Sequence, residues 1–365
     1  MRKSLTGLVV IGLALSLAAC GSDTESKPNS VYANMGATIG IAMPTKVSER
    51  WIADGKNMVQ QFTDMGYKVN LQYADNDVKN QVAQVQAMVN QGDKLLVIAA
   101  IDGSSMDGVL ATAAAKKIPV IAYDRLLTGT ANVSYQATFD NVRVGALQAQ
   151  LLVDRLGLSK EAPGPFNVEL FAGSATDANA KSFYDGAMPV LQPYITSRKI
   201  IVRSGETQFE KITTVNYDAK IAGTRMTKIL NAYYRTAKVD AVLSPYDGMS
   251  IGILNALKAG GYGNAAKPLP IISGQDAELA SVKSIIADQQ AGTIYKDTRE
   301  LAKVAVQMGN SLLTGQKPIV NDVKTYNNGI KIVPTYLLEP VAVDKANYKA
   351  LLVDGGYYTE AEISS

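Results

Sequence analysis

The chain contains no histidine. That absence removes the commonest general base, the Ser-His-Asp triad and the commonest zinc ligand together, while leaving carboxylate and lysine chemistry open. Cysteine occurs once, at Cys20, which excludes a disulfide framework and a thiolate metal cluster. Neither sign of charge dominates. With 36 basic and 33 acidic residues the formal net charge is +3, so no nucleic-acid partner and no attraction to an anionic surface are implied. The chain also lacks fixed-period repeats, charge blocks and low-complexity runs, and tryptophan appears only as Trp51. What is present is ordinary for a large core: 365 residues, 47% hydrophobic and 19% charged, a length that suits two domains.

The N-terminus reads as a targeting segment. Arg2 and Lys3 form a short positive region, Leu5–Leu17 is apolar, and Leu17-Ala18-Ala19-Cys20 closes it with small residues. The apolar stretch is short for a spanning helix, which needs ~20 residues. The Leu-Ala-Ala-Cys ending resembles the bacterial lipobox, which implies a signal peptide over 1–19 and lipidation of Cys20. Residues 20–34 are polar, with Gly, Ser and Pro, and read as a flexible tether. The expected location is extracytoplasmic, lipid-anchored to the bacterial cell membrane.

Beyond the tether, apolar strand-like runs alternate with helical ones. Thr38–Met43, Lys68–Tyr73, Leu95–Ile101 and Pro119–Tyr123 are separated by helical stretches beginning near Ser48, Asp77 and Ser104. A second series starts near Asn141, with strands at Pro165–Phe171, Ile200–Arg203, Ala241–Ser244, Leu269–Ser273 and Thr293–Tyr295. This pitch predicts βαβ units and parallel sheets, hence an α/β fold of two doubly wound lobes joined by a hinge. The expected first lobe is 35–140, completed by about 277–325. The second is 141–276, completed by about 326–365.

In open α/β sheets ligands sit beyond the carboxyl ends of the strands. Here those ends are polar in both lobes: Arg50-Trp51 after the first strand, Asp102 after the third and Asp124-Arg125 after the fourth. The second lobe adds Asp177 and Asn179, Tyr246-Asp247 and Gln275-Asp276, and Lys296 follows the Thr293–Tyr295 strand. One such residue is as readily a helix N-cap as a ligand, and Asp140, Asp177 and Asp247 carry both readings. Arg125 can likewise pair internally with an acid. Repetition in both lobes favours a shared polar cleft. Carboxylates, amides and cations can saturate a ring of hydroxyls, each of which donates and accepts. Trp51, and Tyr217 or Phe209, offer flat rings for the apolar face of a pyranose, although Trp51 also fits a packing role. A phosphate site calls instead for glycine-rich loops and excess cations.

At these residues the sequence resembles the type I periplasmic sugar-binding proteins, specifically the xylose-binding and multiple-monosaccharide-binding receptors of ABC importers. The strings that carry the resemblance are Glu49-Arg50-Trp51, Ala122-Tyr123-Asp124-Arg125, Thr138-Phe139-Asp140-Asn141, Asp177-Ala178-Asn179-Ala180-Lys181, Ser273-Gly274-Gln275-Asp276-Ala277 and Tyr295-Lys296. The resemblance implies that Arg50, Asp124, Arg125, Asp177, Asn179, Asp276 and Lys296 hydrogen-bond the sugar. It also implies that Trp51 stacks on one face and that Tyr217 replaces a second stacking tryptophan. Tyr246 stands where xylose receptors place an asparagine, which favours a broader set of glucose, galactose, arabinose and xylose. The implied protein is a monomeric, non-enzymatic receptor without a cofactor, delivering a monosaccharide to an ABC permease. A sensor role toward a chemoreceptor or histidine kinase shares every one of these residues, and a carbohydrate-active enzyme is the remaining rival.

Overall fold

A computed structural model describes residues 36–364; the signal-peptide, Cys20 and tether readings lie outside the described residues. The first lobe is built from β1 (Thr38–Met43), α1 (Glu49–Asp64), β2 (Lys68–Tyr73), α2 (Val78–Gln91), β3 (Leu95–Ile98), α3 (Asp107–Ala115), β4 (Val120–Tyr123) and β5 (Tyr135–Phe139). Its strands are parallel, and β3 and β4 are buried along their whole length, as their unbroken apolar runs require. Alternate residues feed two cores. Ile39, Ile41 and Tyr123 pack with Met58 and Phe62 of α1, while Ala42, Val120 and Ala122 face Val85 and Met88 of α2 and Leu110 of α3.

The chain then enters the second lobe through α4 (Asn141–Arg155), followed by β6 (Phe166–Leu170), α5 (Ala178–Thr196), β7 (Ile200–Ile201) and the short α6 (Phe209–Ile212). Next come α7 (Ala219–Tyr233), β8 (Ala241–Leu243), α8 (Asp247–Ala259), β9 (Ile271–Ile272), α9 (Leu279–Ile286) and β10 (Thr293–Tyr295). The parallel order is β7-β6-β8-β9. Asp77, Asp140, Asp177 and Asp218 each cap a helix by accepting a bond from a backbone N–H of its first turn.

The C-terminal stretch divides differently from the sequence expectation. Helix α10 (Thr298–Leu313) packs on α1 and β5, and β11 (Thr335–Leu338) pairs in parallel with β5, completing the first-lobe order β11-β5-β4-β3-β1-β2. By contrast α9 packs on α8, and β10 pairs antiparallel with β12 (Val341–Val343), near which α11 (Glu360–Ser364) rests on α9. So 277–295 belongs with the second lobe and Thr335–Leu338 with the first. The physical reason is β5, a strand the sequence reading had not marked; its open edge is covered by β11.

The chain therefore crosses between lobes three times, at β5–α4, β10–α10 and β11–β12. Two of the crossings are tied together by the Asp140 N–H, which donates to the Leu338 carbonyl at 3.0 Å. Below them α4 and α5 touch backbone to backbone: a Cβ on Gly145 would lie 1.8 Å from the Phe183 carbonyl oxygen, and one on Gly186 would lie 1.8 Å from that of Val142. Alanine ordinarily helps a helix by roughly 1 kcal/mol over glycine. Here the obstacle is backbone that has nowhere to go, so Gly145→Ala is expected to destabilise by about 1–3 kcal/mol, read from urea unfolding.

Candidate functional site

Strand β4 ends in Asp124, whose backbone lies in the left-handed region (φ 59°) and turns its side chain into the cleft between the lobes. Its backbone carbonyl accepts from Thr138 Oγ1 at 2.8 Å and from Asn179 Nδ2 at 3.2 Å, which fixes the turn. The carboxylate is buried at a convergence of charges. Arg50 Nη1 donates to Oδ2 at 2.9 Å, Asn179 Nδ2 donates to Oδ1 at 3.0 Å, and Lys296 Nζ lies 3.7 Å away. Burial by itself would raise this carboxyl, but Arg50, Lys296 and Arg125 together hold it down at about 2.

The two buried cations are shared among several acids. Arg50 donates through Nε to Asp54 at 3.0 Å and stands 3.6 Å from Asp276, and Lys296 pairs with Asp276 at 3.0 Å. Asp54 is pushed up to about 6 by burial, and Tyr123 donates its hydroxyl to it. Lys296 is only 2% exposed and comes from the β10–α10 crossing, so the hinge itself contributes a charge to the cleft.

A second group faces this one. Arg125 Nε is 3.2 Å from Asp177 Oδ2, the oxygen to which Tyr217 donates its hydroxyl at 2.8 Å. The Arg50 and Arg125 guanidiniums lie 4.2 and 5.2 Å from the Trp51 ring. Tyr217 meets Tyr246 edge to face at 6.0 Å. Tyr217 and its neighbour Asn216 both have positive φ (55° and 54°), a conformation that costs an ordinary residue roughly 1 kcal/mol or more. The ring presses so closely on the end of β6 that a Cβ on Gly173 would lie 2.0 Å from it.

The lobes also touch across the cleft. Glu278 accepts from Ser48 Oγ of the first lobe and from Tyr246 of the second, both at 2.7 Å, and the Leu279 N–H donates to Glu49 at 3.1 Å. Burial, reinforced by Asp276 and Glu49, lifts the Glu278 carboxyl to about 7. Opening the lobes returns that group to water and to an ordinary carboxylate value. The closed form thus holds the proton more tightly than the open one. Closure gains stability that is fully present below the ordinary carboxylate range and lost as pH rises through about 7. Ligand affinity is therefore expected to be more than about tenfold higher at pH 5.5 than at pH 8. Calorimetry across that range checks this, and Glu278→Gln should flatten the profile.

Ten of the twelve candidate side chains line one cavity of about 470 Å³: Arg50, Trp51, Asp124, Arg125, Asp177, Asn179, Tyr217, Tyr246, Asp276 and Lys296. Asp102 and Asp247 do not. Asp102 accepts from the Ser104 N–H at 2.9 Å and from its hydroxyl at 2.7 Å, closing the turn after β3. Asp247 is wholly buried beneath the cleft floor, bonded to Gln290, Thr293 and the Glu278 N–H, and burial drives its carboxyl well up. Phe209, the alternative to Tyr217 as a stacking residue, packs on Tyr184 in the second-lobe core. Asp177 is both cap and cleft residue, since it accepts from the Asn179 N–H at 2.9 Å. Gln275, one of the polar strand-end residues, lines the cavity too, and so do Glu278 and Phe183, which nothing in the sequence pattern marks. Gln275 adds a buried Oε1 that has no hydrogen-bond partner among the described residues.

Two parallel α/β lobes, three crossing segments and a polar cleft with aromatic walls define a two-lobed solute-binding protein that closes around its ligand. The chain belongs to the periplasmic binding proteins, in their type I sugar-binding group, residues 39–317 matching the periplasmic binding protein domain. It is 55% identical to the multiple sugar-binding periplasmic receptor ChvE of Rhizobium radiobacter over 97% of both chains. It is 36% identical to the D-xylose-binding periplasmic protein of Escherichia coli, over 89% of this chain and 92% of that one. Among solved structures, an ABC transporter solute-binding protein of Clostridium phytofermentans with bound β-D-glucose superposes with a TM-score of 0.86 at 47% identity, over 89% of this chain and 99% of that one.

Proposed function

We propose that the protein is the substrate-binding subunit of an ABC sugar importer, taking a monosaccharide (glucose, galactose, xylose or arabinose) into the cleft and presenting the closed form to a membrane permease. The observation that carries this reading is the convergence on Asp124. Arg50, Asn179, Asp276 and Lys296 gather around one ionised, buried carboxylate, with Trp51 and Tyr217 as walls. Such groups are preorganised to give and take charged hydrogen bonds, each contributing roughly 1.5–3 kcal/mol. Their relatives' names and the glucose held by the Clostridium protein support a sugar as the ligand.

The role is binding without turnover. Glycoside hydrolysis needs a proton-donating acid opposite a second carboxylate, whereas Asp124 is held ionised at about 2, Asp276 and Asp177 are paired with cations, and the one raised acid in the cleft lining, Glu278, has its Oε1 engaged by the Ser48 and Tyr246 hydroxyls. Localisation outside the cytoplasm, with a lipid on Cys20 and a tether over 20–34, completes the reading. Passing occupancy to a chemoreceptor or sensor kinase would use the same closed form.

The test is thermal unfolding with a pentose and hexose panel. A ligand at a hundred times its Kd adds about 2.7 kcal/mol to stability, a rise of several degrees in Tm. Unchanged curves with all four sugars would remove the sugar reading, and release of nitrophenol from aryl glycosides would replace the receptor with an enzyme.

A further inference from the structure

Three carboxylates surround the Arg50 guanidinium, and one of them never meets the cleft. Asp124 and Asp276 line the cavity, whereas Asp54 does not and is wholly buried. Asp54 stands one turn along α1 from Arg50 and grips it beneath the cavity wall. Arg50 Nε donates to Asp54 Oδ2 at 3.0 Å, and Nη2 is ion-paired with the same oxygen at 2.9 Å. The other Asp54 oxygen accepts from the Tyr123 hydroxyl, also wholly buried. Burial, reinforced by Asp54, raises that phenol well above its usual value, so it stays a donor. Tyr123 is the last residue of β4 and precedes Asp124, which accepts from Arg50 Nη1 at 2.9 Å. The contacts close a ring: Tyr123 to Asp54, Asp54 to Arg50, Arg50 to Asp124, and back along the strand.

The fold alone has little use for this carboxylate. An ionised acid away from water is expensive, and burial pushes Asp54 up to about 6 despite the cation beside it. What the group supplies is direction. A guanidinium carries five N–H donors in a rigid fork. Without Asp54 the fork is drawn wholly to Asp124 and Asp276, the acids that also face the ligand. With one edge of the fork held from below, Nη2 keeps donor capacity that no hydrogen bond uses among the described residues, and Asp276 Oδ1 is likewise without a hydrogen-bond donor there. Donor and acceptor are thereby left for a hydroxyl of the ligand.

We propose that Asp54, oriented by the Tyr123 hydroxyl, is a positioning residue that aims the Arg50 guanidinium at one hydroxyl of the bound monosaccharide. This rests on the sugar-receptor reading and deepens it. Asp54 touches no sugar and acts through Arg50. Such a role leaves a signature opposite to that of a structural residue, because removing the charge relieves the fold and weakens the ligand. Asparagine has the same shape, accepts from Arg50 and donates to the Tyr123 oxygen, so it keeps the ring closed without the charged grip.

The experiment is calorimetry and urea unfolding of the full-length protein and of Asp54→Asn. The ligands are whichever of glucose, galactose, xylose and arabinose binds tightest, and each of its monodeoxy derivatives. Affinity for the parent sugar is expected to fall at least about fivefold, the difference between a charged and a neutral hydrogen bond, while the urea midpoint stays at or above that of wild type. The loss should fall on one hydroxyl. One monodeoxy sugar is expected to bind variant and wild type within about twofold, and Arg50→Lys should spare the same isomer. Tyr123→Phe keeps the charge and removes the orienting donor, so it should weaken the parent at least about twofold and spare that isomer too. A smaller fall in Asp54→Asn overturns the inference. So does a loss shared by every deoxy sugar or a lowered midpoint, since the residue then serves the fold. If Asp54→Asn does not fold, Tyr123→Phe decides on the same pattern; if neither folds, the pair is structural and the inference is overturned. Absence of binding by all four sugars to the wild type would instead defeat the receptor reading.

Discussion

Asp124→Ala is expected to reduce sugar affinity more than a hundredfold and to lower the stability of the unliganded protein by about 3 kcal/mol. The carboxylate accepts from Arg50 and Asn179 and faces Lys296, all of them buried. Removing one partner of a buried charge cluster costs roughly 3–5 kcal/mol, chiefly because the remaining charge is left uncompensated in a poorly hydrated place. The lower end applies here. Arg50 keeps Asp54, Lys296 keeps Asp276, and the net imbalance is one charge spread over two cations. The left-handed backbone at this position (φ 59°) adds a further penalty for alanine. Asparagine tolerates that conformation and retains an acceptor, so Asp124→Asn should fold with a smaller loss while still binding poorly, because the charged acceptor is gone. The pH dependence separates charge from shape. The Asp124 carboxyl is held at about 2, so its contribution is present above the ordinary carboxylate range and is lost as pH falls toward about 2. Acid unfolding of the wild type should therefore converge on the Asp124→Asn curve. Urea denaturation and calorimetry of both variants, at neutral pH and under acid conditions, check each part.

Most of this site was legible because strand ends and helix starts are short and local. Asp124-Arg125 follows an unbroken apolar run, and a run that short, β-branched and bounded by Pro119 reads as a buried strand with a polar stop. The failures share a cause. Asp102 and Asp247 also follow strands, and nothing in sequence tells a residue that faces the cleft from one that faces away or lies beneath it. The structure decides by local bonding: Asp102 turns back on Ser104, and Asp247 is drawn under the floor by Gln290 and Thr293, some forty residues on. Glu278 was missed because an acid just before a helix reads as a cap, while its partner Ser48 is 230 residues away. The division of the C-terminal stretch was misjudged for a similar reason. Tyr135–Phe139 carries Gln136 and Thr138 among its apolar residues, so it does not look like a buried strand. Both polar side chains are in fact satisfied by the Asp124 carbonyl. Without β5 there is no edge for β11 to cover, and the sequence pattern alone assigns the tail to the second lobe.

Trp51→Ala is expected to weaken sugar binding by about 2–4 kcal/mol, the loss seen when a buried aromatic anchor is removed, and to destabilise the fold as well. The two effects come from two faces of one residue. Trp51 lines the cavity, yet it is only 5% exposed and is part of the first-lobe core with Met58, Phe62 and Tyr123. Stacking and packing are therefore not alternatives for this side chain. Truncating a core tryptophan costs about 3–5 kcal/mol where nothing can refill the space. Here the cleft side is open to water, so a loss nearer 2–3 kcal/mol is expected. The ring also lies 4.2 Å from the Arg50 guanidinium and 5.2 Å from that of Arg125, which keeps both cations aimed into the cleft while it is empty. Trp51→Phe separates the contributions. Phenylalanine restores much of the packing and a flat surface, but it is a weaker cation–π partner and covers less of a pyranose. Its stability should return to within about 1.5 kcal/mol of wild type, while its affinity stays measurably below it. Paired urea unfolding and calorimetry of the two variants read both quantities. Wild-type affinity in Trp51→Ala would show that the ring serves the core alone and that the sugar is held by its hydrogen bonds.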